Sequence, residues 1–437
     1  MEYGLLGLFF TLTFHFSLII AYLCRKYIAS MIIVKAPDSI NGKVVLPSSK
    51  SICNRALVIN SLAGNDSHPR NLSDCDDTRV MVKWLSERPK TVDIGAAGTA
   101  MRFSSARLAV MEGTHVITGT ERMKNRPIGV LVDALRLLGA NVEYVEKDGF
   151  PPLRIVGNTS LEGGEISLPG NVSSQYISAL LMIGPVLKKG LKLVLTDNIV
   201  SRPYINMTLS MMKEFGAKAG WVSDDSIVVE PVPYVKRDYF VESDWSAASY
   251  WYQMVALAKN ADAEIILPGL FAESLQGDAG GAKVFEKLGV KTEHVGNDVK
   301  ISKSGDVVNR LDFDFVEMPD LAQTFVVTCC MLGVPFHFTG LQSLKIKETD
   351  RIEALKTELR KLGYVITDRN DSELIWDGER CPVEADDAID TYEDHRMAMA
   401  FAPCALVLGT ININNPEVVS KSYPRYWDDL KSVGFEL

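Results

Sequence analysis

The hydrophobic pattern of this chain repeats at a long interval. Apolar positions at helical spacing lead to a glycine, and an alternating strand pattern follows, as in LRLLGANVEYV around Gly139 and MMKEFGAKAGWV around Gly216. The same order returns at Gly289, Gly363 and Gly434. A glycine placed after the last helical turn supplies a left-handed C-cap. The pattern predicts a repeated α/β unit, whose period of roughly 70 residues is too long for a solenoid repeat.

The chain from Met31 onward has room for about six such units, if a degenerate first copy lies near Trp84. Six units predict an α/β protein with two similar domains of three units each. The stretch VESDWSAAS, Val241–Ser249, lies near the middle, and we expect the chain to cross between the domains there. The expected first globular domain is 31–48 plus 243–437, and the expected second domain is 49–242.

Turns rich in glycine, serine or acidic residues open several predicted helices. Their sequences are LPSSKSICNRAL from Leu46, DIGAAGTAMRF from Asp93, NVSSQYISALLM from Asn171, VESDWSAASYW from Val241 and YEDHRMAMAFA from Tyr392. Ser48 and Ser49 are candidate N-caps for the first helix. Each turn alone is also typical of a solvated helix start. Because helix N-termini favour anions, their recurrence predicts an anion site where repeated units aim them at one cleft.

Charged residues gather at the same helix starts. LKIKETDRIEALKTELRKLG predicts a helix from Leu344 to Gly363, on which Lys347 and Arg351 share a face and repel each other unless an anion lies between them. In EDHR, Asp394 can cap a helix, while His395 taken alone predicts a capped surface histidine. The candidate cations of the anion site are Lys50, Arg55, Arg126, Arg202, Lys347, Arg351, Arg396 and Lys421.

Composition narrows the class of protein. The chain has 437 residues, is 47% hydrophobic and 23% charged, and has a net charge of −9, which argues against a nucleic-acid partner. Bound anions must therefore be held by a local cluster of cations. The seven cysteines form no CxxC pair, and the adjacent Cys329 and Cys330 fit a reduced cytosol, so we expect a cytoplasmic protein. The six histidines are scattered, and we expect no metal site.

The first thirty residues are a separate question. Gly4–Cys24 carries no charge and is long enough for a transmembrane helix. A cleaved signal peptide is disfavoured, because Glu2 replaces the usual cations and no small-residue cleavage site follows. We favour a misassigned start, with Met31 as the natural first residue, over a membrane anchor. Membrane contact is expected only if this segment is a real anchor.

Six motifs, in order, carry a family resemblance. LPSSKSICNRAL, GAAGTAMR, RMKNRPIGVLVDALRLLGA, VSSQYISALLM, IKETDR and EDHRMAM together resemble the motif set of the 5-enolpyruvylshikimate-3-phosphate synthase family, over essentially all of Met31 to Leu437. The resemblance implies two similar domains, each of three βαβαββ units, with the active site in the cleft between them. It also implies transfer of the enolpyruvyl group of phosphoenolpyruvate to shikimate 3-phosphate, on the route to chorismate and the aromatic amino acids.

The resemblance implies roles for individual residues. Those at matching positions for shikimate 3-phosphate are Lys50, Ser51, Arg55, Ser173, Ser174, Gln175, Ser201, Asp320 and Lys347. Those at matching positions for phosphoenolpyruvate are Lys50, Gly98, Arg126, Gln175, Arg351, Arg396 and Lys421. Asp320 is expected to activate the 5-hydroxyl, Glu348 to protonate the substrate carbon and Lys50 to assist. Neither a metal nor another cofactor is implied, and we expect a monomer acting on small anions.

Three positions depart from the familiar bacterial pattern. Ala96 and Ser343 stand where asparagines often contact the substrates, and Phe103 replaces a frequent proline behind the Gly98 turn. The first two put single hydrogen bonds in doubt, but neither removes a charge needed for the chemistry. Phe103 is expected to reshape the pocket that family inhibitors such as glyphosate occupy.

Two alternatives stay open at this point. The sister enolpyruvyl transferase acts on UDP-N-acetylglucosamine and places a reactive cysteine on a loop of the domain that holds RMKNRPI. No cysteine lies between Cys75 and Cys329 here, which argues against it. A non-catalytic anion-binding scaffold is the second alternative, and the complete set of cations and carboxylates argues against that.

Overall fold

A computed structural model of the protein describes residues 30–65, 67–384 and 388–437. The apolar segment Gly4–Cys24 lies outside these residues. Within the described ranges, no helix is both long and apolar enough to cross a bilayer.

Helices and strands alternate along the chain. The first half contains β1 (Met31–Lys35), β2 (Asn41–Lys43), α1 (Lys50–Leu62), α2 (Asp76–Glu87), β3 (Thr91–Asp93), α3 (Gly98–Ala109), β4 (Gly113–Thr118), α4 (Glu121–Lys124), α5 (Gly129–Leu137), β5 (Asn141–Tyr144), β6 (Leu153–Gly157), β7 (Gly164–Pro169), α6 (Ser174–Ile183), β8 (Leu191–Thr196), α7 (Arg202–Glu214), β9 (Ala219–Trp221) and β10 (Ser226–Val229).

The second half continues in the same manner. It contains α8 (Trp245–Leu257), β11 (Glu264–Pro268), α9 (Gly281–Glu286), β12 (Leu288–Val295), β13 (Asp298–Val307), β14 (Leu311–Asp314), α10 (Ala322–Leu332), β15 (Phe336–Thr339), α11 (Arg351–Lys361), β16 (Thr367–Arg369), β17 (Glu373–Trp376), α12 (His395–Phe401), α13 (Ala405–Leu408), β18 (Thr410–Asn414) and α14 (Tyr426–Ser432). Short 3₁₀ helices join several of these elements, among them Pro319–Leu321, Gln342–Ile346 and Pro416–Lys421.

Four sheets share one strand order. They run β3-β4-β6-β5, β7-β8-β10-β9, β2-β11-β13-β12 and β14-β15-β17-β16. In each sheet the first pair is parallel and the other two pairs are antiparallel. A parallel pair needs a crossover helix, and an antiparallel pair can be joined by a short turn. This is the βαβαββ unit expected from the sequence, and the predicted α/β fold of two similar domains is confirmed.

A fifth unit is completed from the other end of the chain. β18 pairs antiparallel with β1, while single bridges join Ile389 to Ile413 in parallel and Lys35 to Glu436 antiparallel. The strand order is the same as in the four full sheets, but β1 takes the third place. The N-terminal strand therefore closes the unit formed by the C-terminal residues.

The expected first copy near Trp84 is the least regular unit. It keeps the helices α1 and α2, but its sheet is reduced to an isolated parallel bridge between Arg70 and Phe240. Pro69 precedes that bridge, and proline has no N–H group to donate to a ladder. Arg88, directly after α2, nevertheless has a φ of 47°, so this copy ends its helix as the others do.

The glycines that defined the sequence repeat have the predicted conformation. Their φ angles are 97° at Gly139, 85° at Gly216, 82° at Gly289, 85° at Gly363 and 101° at Gly434. These angles lie in the left-handed region that glycine reaches without steric cost. The expectation of a left-handed glycine shortly after the helix is confirmed in these five copies, although Gly289 is already the second residue of β12.

Buried apolar side chains form two separate clusters. One cluster draws on residues 34–46 and 245–435, and the other draws on residues 52–241. We propose that the domain boundaries follow these clusters, with 31–48 plus 243–437 in one domain and 49–242 in the other.

Two antiparallel segments connect the clusters. The Ser49 N–H donates to the Glu242 carbonyl at 2.8 Å, and the Asp244 N–H donates to the Pro47 carbonyl at 2.9 Å. Helices α1 and α8 begin directly after these crossings, one in each cluster. The position predicted for the crossover, Val241–Ser249, therefore includes one of the two connecting segments.

One carboxylate caps both of these helices. Asp244 accepts the Ala247 N–H at 3.1 Å in α8 and the Lys50 N–H at 3.2 Å in α1. Ser49 occupies the N-cap position of α1, but its hydroxyl accepts no bond from that helix. The cap that the sequence assigned to a serine is instead supplied by an aspartate from the other connecting segment.

Candidate active site

Two adjoining pockets open between the clusters. The main pocket has a volume of about 580 Å³ and the side pocket a volume of about 650 Å³. They share Asp77, Arg126 and Glu348 as a common wall. The residues expected to bind the substrates or to act on them line the main pocket, except Lys421, which lines the side pocket. Of the candidate cations, Arg202 lines neither pocket. The site residues stay a prediction, but the fold brings them together.

Helix N-termini supply much of the wall. The first residues of α1, α3, α6 and α12 line the main pocket, as the repeated turns predicted. The N-terminus of α8 does not, because it lies at the crossover beside Asp244. The positive ends of several helix dipoles therefore surround one cleft, which favours anionic ligands.

Arg55 lies at the bottom of the main pocket. Its guanidinium donates to the Thr208 hydroxyl at 2.7 Å and the Ser178 hydroxyl at 3.1 Å, and packs 5.3 Å from the centre of the Phe103 ring. Burial lowers the pKa of Arg55 to about 10, so it stays cationic at neutral pH. These neutral partners leave its positive charge uncompensated and available to a ligand.

The start of α6 adds hydroxyl and amide groups. The Ser173 hydroxyl accepts the Gln175 N–H at 3.4 Å, and the Gln175 amide donates to the Thr99 hydroxyl at 3.1 Å across the pocket. Ser201, just before α7, has a φ of 57°. Such a backbone conformation is costly for a residue other than glycine and is common at ligand sites.

Lys50 lies in the wall between the two domains. Burial acts to lower its pKa, but the carboxylates of Asp77 and Glu348 outweigh burial and raise it. Within the part of the chain that the structure describes, the Lys50 ammonium has no ion-pair partner. It is therefore charged and free to meet a substrate.

Asp320 is held by three cations. Oδ1 lies 3.2 Å from both the Lys347 ammonium and Nη1 of Arg351, and Oδ2 lies 2.9 Å from Nη2 of Arg396. Burial alone would raise the pKa of Asp320, but these cations hold it well below its usual range. Tyr204, from the other domain, donates to the same carboxylate at 3.5 Å.

Glu348, like Asp320, is a buried carboxylate surrounded by cations. Its carboxylate lies 2.6 Å from the Lys421 ammonium and 3.0 Å from Nη2 of Arg351. Burial would raise its pKa, but the cations Lys421, Arg351 and Arg126 hold the pKa well below its usual range. Both carboxylates are therefore ionised at neutral pH in the free protein.

The chain at Lys347 and Arg351 is not one continuous helix as predicted. The 3₁₀ helix Gln342–Ile346 ends before Lys347, and α11 begins at Arg351 with Asp350 as its N-cap. The Asp350 side chain caps the start of α11, which favours a new helix there over continuation through the preceding residues. In the structure Asp320, a residue of the protein, lies between the two cations.

Asp394 contacts both Arg351 and Arg396 and fixes their positions. It accepts Nε of Arg351 at 2.6 Å, and it caps α12 by accepting the Arg396 N–H at 2.9 Å. Arg351 is 1% exposed, so its guanidinium is fixed by three carboxylates, those of Asp394, Asp320 and Glu348. The capping role of Asp394 was predicted, but its ion pair with a residue 43 positions away was not.

His395 is not the surface residue expected from sequence. It is 1% exposed, and neither ring nitrogen has a hydrogen-bond partner among the described residues. Burial, with Lys50 and Arg396, lowers its pKa well below the usual value, so the ring is neutral. Its place in α12 puts it under the pocket, a burial that the polar motif EDHR did not indicate.

Arg202 does not join the site. Its guanidinium packs 4.5 Å from the Trp221 ring and donates to the Asp224 carbonyl, outside both pockets. Asp77, by contrast, lines both pockets and is buried. Its only signal in the sequence is an acidic pair in the first turn of a helix.

Two of the three positions that depart from the bacterial pattern line the pockets. Ala96 lines the side pocket and Ser343 the main pocket. The Ser343 hydroxyl is buried without a hydrogen-bond partner in the described residues. Phe103 is fully buried behind Arg55.

No group of three or more histidine, cysteine, aspartate or glutamate residues within the described ranges is arranged to hold a metal ion. The described cysteines are unpaired.

Comparison with known proteins identifies the family. The chain matches the family described as EPSP synthase (3-phosphoshikimate 1-carboxyvinyltransferase) over residues 34–88 and 86–430. It is 63% identical to a 3-phosphoshikimate 1-carboxyvinyltransferase of Bacteroides fragilis over 93% of this chain and 98% of that protein. It is 38% identical to the Vibrio campbellii protein of the same name, over 91% of this chain and 97% of the relative.

Solved structures show the same fold. An EPSP synthase from Acinetobacter baumannii superposes with a TM-score of 0.74 at 21% identity, covering 93% of this chain and 99% of that one. The family expected from the six motifs is confirmed, and the chain belongs to the EPSP synthase family.

Proposed function

We propose that this protein transfers the enolpyruvyl group of phosphoenolpyruvate to the 5-hydroxyl of shikimate 3-phosphate and releases inorganic phosphate. The observation that carries this proposal is the buried Arg351, which joins Asp320 and Glu348 into one pair of ionised carboxylates bounded by cations. Two placed carboxylates allow one group to take a proton while the other delivers one. The product leads toward chorismate and the aromatic amino acids.

Shikimate 3-phosphate occupies the main pocket. Its phosphate meets the α1 and α6 N-termini, and its ring lies toward Asp320. The binding residues are Lys50, Ser51, Arg55, Ser173, Ser174, Gln175, Ser201, Asp320 and Lys347. The proposal is supported by Arg55, whose buried positive charge faces hydroxyls and has no carboxylate partner in the described chain.

Phosphoenolpyruvate binds at the wall between the two pockets. Its anionic groups meet residues from both domains, namely Lys50, Gly98, Arg126, Gln175, Arg351, Arg396 and Lys421. Gly98 supports close approach of the ligand to the backbone, because it lies at the start of α3 with no side chain.

Asp320 is the base in this proposal. Its depressed pKa keeps it ionised, so it can accept the proton of the 5-hydroxyl while that oxygen adds to C2 of phosphoenolpyruvate. A carboxylate with so low a pKa is a weak base. Binding of two anionic substrates draws Lys347, Arg351 and Arg396 toward new partners, which raises its basicity when it is needed.

Glu348 is the acid, and it must first gain a proton. Burial in the cleft does not supply one, because Glu348 is already buried and its pKa is still held low by Lys421 and Arg351. The charge of bound phosphoenolpyruvate offsets those cations, and this raises the pKa of Glu348. The low pKa of the buried Glu348 therefore favours the charge of the substrate over burial as the cause of its protonation.

The reaction then proceeds by addition and elimination. Glu348 protonates C3 as the 5-oxygen bonds to C2, which gives a tetrahedral intermediate carrying a methyl group, the carboxylate and the phosphate. The carboxylate of Glu348 next removes a C3 proton, the double bond between C2 and C3 forms again, and the C2–O bond to phosphate breaks. The proton that Asp320 took from the 5-hydroxyl passes to the leaving phosphate, which restores the Asp320 carboxylate. Lys50 assists these proton transfers, and the cations stabilise charge on the leaving phosphate.

In the cell, the protein acts as a monomer on small anionic substrates in the cytoplasm, without a nucleic-acid partner. The net charge of −9 supports the last point, since it disfavours binding to a polyanion.

The test is phosphate release by the purified protein with phosphoenolpyruvate and shikimate 3-phosphate. A parallel reaction replaces shikimate 3-phosphate with UDP-N-acetylglucosamine. Release with shikimate 3-phosphate alone supports the proposal. Release with UDP-N-acetylglucosamine alone, or with neither acceptor, contradicts it.

A further inference from the structure

The side pocket leads from solvent to the proposed catalytic groups. Its inner end is formed by Glu348, Arg126 and Lys421, of which Glu348 and Lys421 have side chains only 14% and 15% exposed. Its rim includes Arg122 and Glu393, whose side chains are 37% and 74% exposed. The pocket is therefore a passage with a charged outer rim and a buried inner end.

Two contacts across the rim join the proposed domains. Arg122 of the second domain forms an ion pair with Glu393 of the first. The Ser420 hydroxyl of the first domain donates to Asp76 Oδ2 of the second at 2.7 Å. Both contacts close the same pocket, and both must break if the domains separate there.

The backbone that places Glu393 is under strain. Tyr392 and Glu393 have φ angles of 52° and 55°, which are costly for side chains of this size. The Tyr392 hydroxyl anchors the turn by donating to Glu358 at 2.5 Å. The next residue is Asp394, which holds Arg351. One short turn therefore holds both Glu393, which forms the rim ion pair, and Asp394, which fixes Arg351 in the proposed anion site.

Arg126 stands where the two pockets meet. The other cations of the side pocket are each paired with a carboxylate, Arg79 with Asp76, Arg122 with Glu393 and Lys421 with Glu348. Arg126 has no such partner in the described chain. It is free to contact an anion from either pocket.

We propose that the side pocket is a gated port for a small phosphorylated anion, closed at its rim by Arg122 and Glu393. Phosphoenolpyruvate enters and inorganic phosphate leaves through it while the shikimate moiety fills the main pocket. This inference rests on the proposed function. It follows from the positions of Lys421, which lines the side pocket, and of Arg126 and Glu348, which line both pockets. The residues proposed for shikimate 3-phosphate line the main pocket alone.

The first test narrows the port. Val80 of α2 and Val418 of the other domain both line the side pocket. With shikimate 3-phosphate bound, Val80→Trp should slow phosphoenolpyruvate association and phosphate release by about 10-fold, since passage then limits turnover. Affinity for shikimate 3-phosphate should stay within about two-fold of the wild type, because the port is not its site. Lys83→Trp adds the same side chain to an exposed position of α2 and should change neither rate.

The second test opens the rim. Glu393→Gln and Arg122→Gln should each speed phosphate release by about 1.5- to 5-fold, the size expected for one exposed ion pair. The double variant should behave as either single variant does. Glu146→Gln is the matched control, because it removes the ion pair of Glu146 with Lys124, which lies within one domain.

The measurements separate the outcomes. Stopped-flow binding of phosphoenolpyruvate reports arrival, and a fluorescent phosphate sensor reports departure. If Val80→Trp binds shikimate 3-phosphate normally but leaves both rates unchanged, the port is wrong. If Val80→Trp fails to bind shikimate 3-phosphate, Val418→Trp takes its place with the same criteria. An inactive wild type would contradict the proposed function, whereas an active wild type with unaffected variants would contradict the port alone.

Discussion

The guanidinium of Arg126 packs directly against the backbone of Gly98. A Cβ atom added to Gly98 would lie 2.5 Å from Nη1 of Arg126 and 2.9 Å from its Cζ, closer than atoms can approach. The cation that joins the two pockets therefore holds its position because residue 98 has no side chain. This relationship links a turn residue to the binding of phosphoenolpyruvate.

Gly98→Ala should weaken phosphoenolpyruvate binding. The new methyl group displaces Arg126, and losing a hydrogen bond to a charged group costs about 1.5–3 kcal/mol, so KM for phosphoenolpyruvate should rise by about 10- to 100-fold. The Kd for shikimate 3-phosphate should change little. Gly220→Ala is the control, since its nearest neighbour is a mobile lysine end 3.8 Å away. Unchanged KM in Gly98→Ala would show that Arg126 does not bind this substrate.

Glu348→Gln should separate binding from chemistry. Shikimate 3-phosphate should bind within about two-fold of the wild type, while turnover falls by at least about 100-fold because the acid is lost. Exchange of the C3 hydrogens of phosphoenolpyruvate with deuterated solvent should fall with it. Glu353→Gln serves as control, because Glu353 lies on the exposed side of α11 and pairs with Lys356. Near-normal turnover would remove Glu348 from the acid role.

Substrate binding should be coupled to proton uptake. In the free protein Lys421 and Arg351 hold the pKa of Glu348 well below its usual range, against the effect of burial, so at neutral pH it carries no proton. Phosphoenolpyruvate brings negative charge, raises that pKa and favours protonation, and uptake should increase as pH falls. Calorimetry in buffers of different ionisation enthalpy measures it. The uptake should disappear in Glu348→Gln; equal uptake in that variant would assign the proton elsewhere.

The buried Asp278 should make stability depend on pH. Burial raises the pKa of Asp278 to about 7, and its Oδ1 has no hydrogen-bond partner among the described residues. A raised pKa contributes stability that is complete below the unfolded pKa of about 4 and is lost as pH rises toward 7, by at most about 1.4 kcal/mol per pH unit.

Asp278→Asn removes that titration and tests the sign. Relative to the wild type, the variant should gain stability steadily between pH 4 and 7, as measured by urea unfolding at each pH. The amide oxygen can still accept the hydroxyl of Ser246, which contacts Asp278 in the wild type. The exposed Asp262→Asn is the control. A parallel pair of stability curves for Asp278→Asn and wild type would contradict the prediction.

Shikimate 3-phosphate should draw the domains together. Lys50 and Lys347 belong to different proposed domains but line one pocket, so a single ligand that contacts both favours the closed arrangement. Small-angle scattering should show a smaller radius of gyration after shikimate 3-phosphate is added. An unchanged radius would reject closure as the response to this substrate.

The repeated units and their caps could be read from sequence because they depend on near neighbours. A glycine directly after a helix, as at Gly139 or Gly363, predicts a left-handed backbone conformation without knowledge of its tertiary neighbours. The same holds for the turns that open α3, α6 and α12, because a helix N-terminus favours anions through its own backbone dipoles. These local features, together with the order of the six motifs, determined the fold and the membership of the family.

Tertiary structure alone decided which charges face one another. Three contacts join residues that are distant in the chain: the ion pair of Arg351 with Asp394, the cap that Asp244 supplies to α1, and the pairing of β1 with the last unit. Packing also buries His395, which its local sequence did not indicate. The sequence around a charged residue looks the same whether its side chain faces water or an ion-pair partner. Its pKa and its reach depend on burial and on neighbours a few ångströms away, and those are set only when the units pack together.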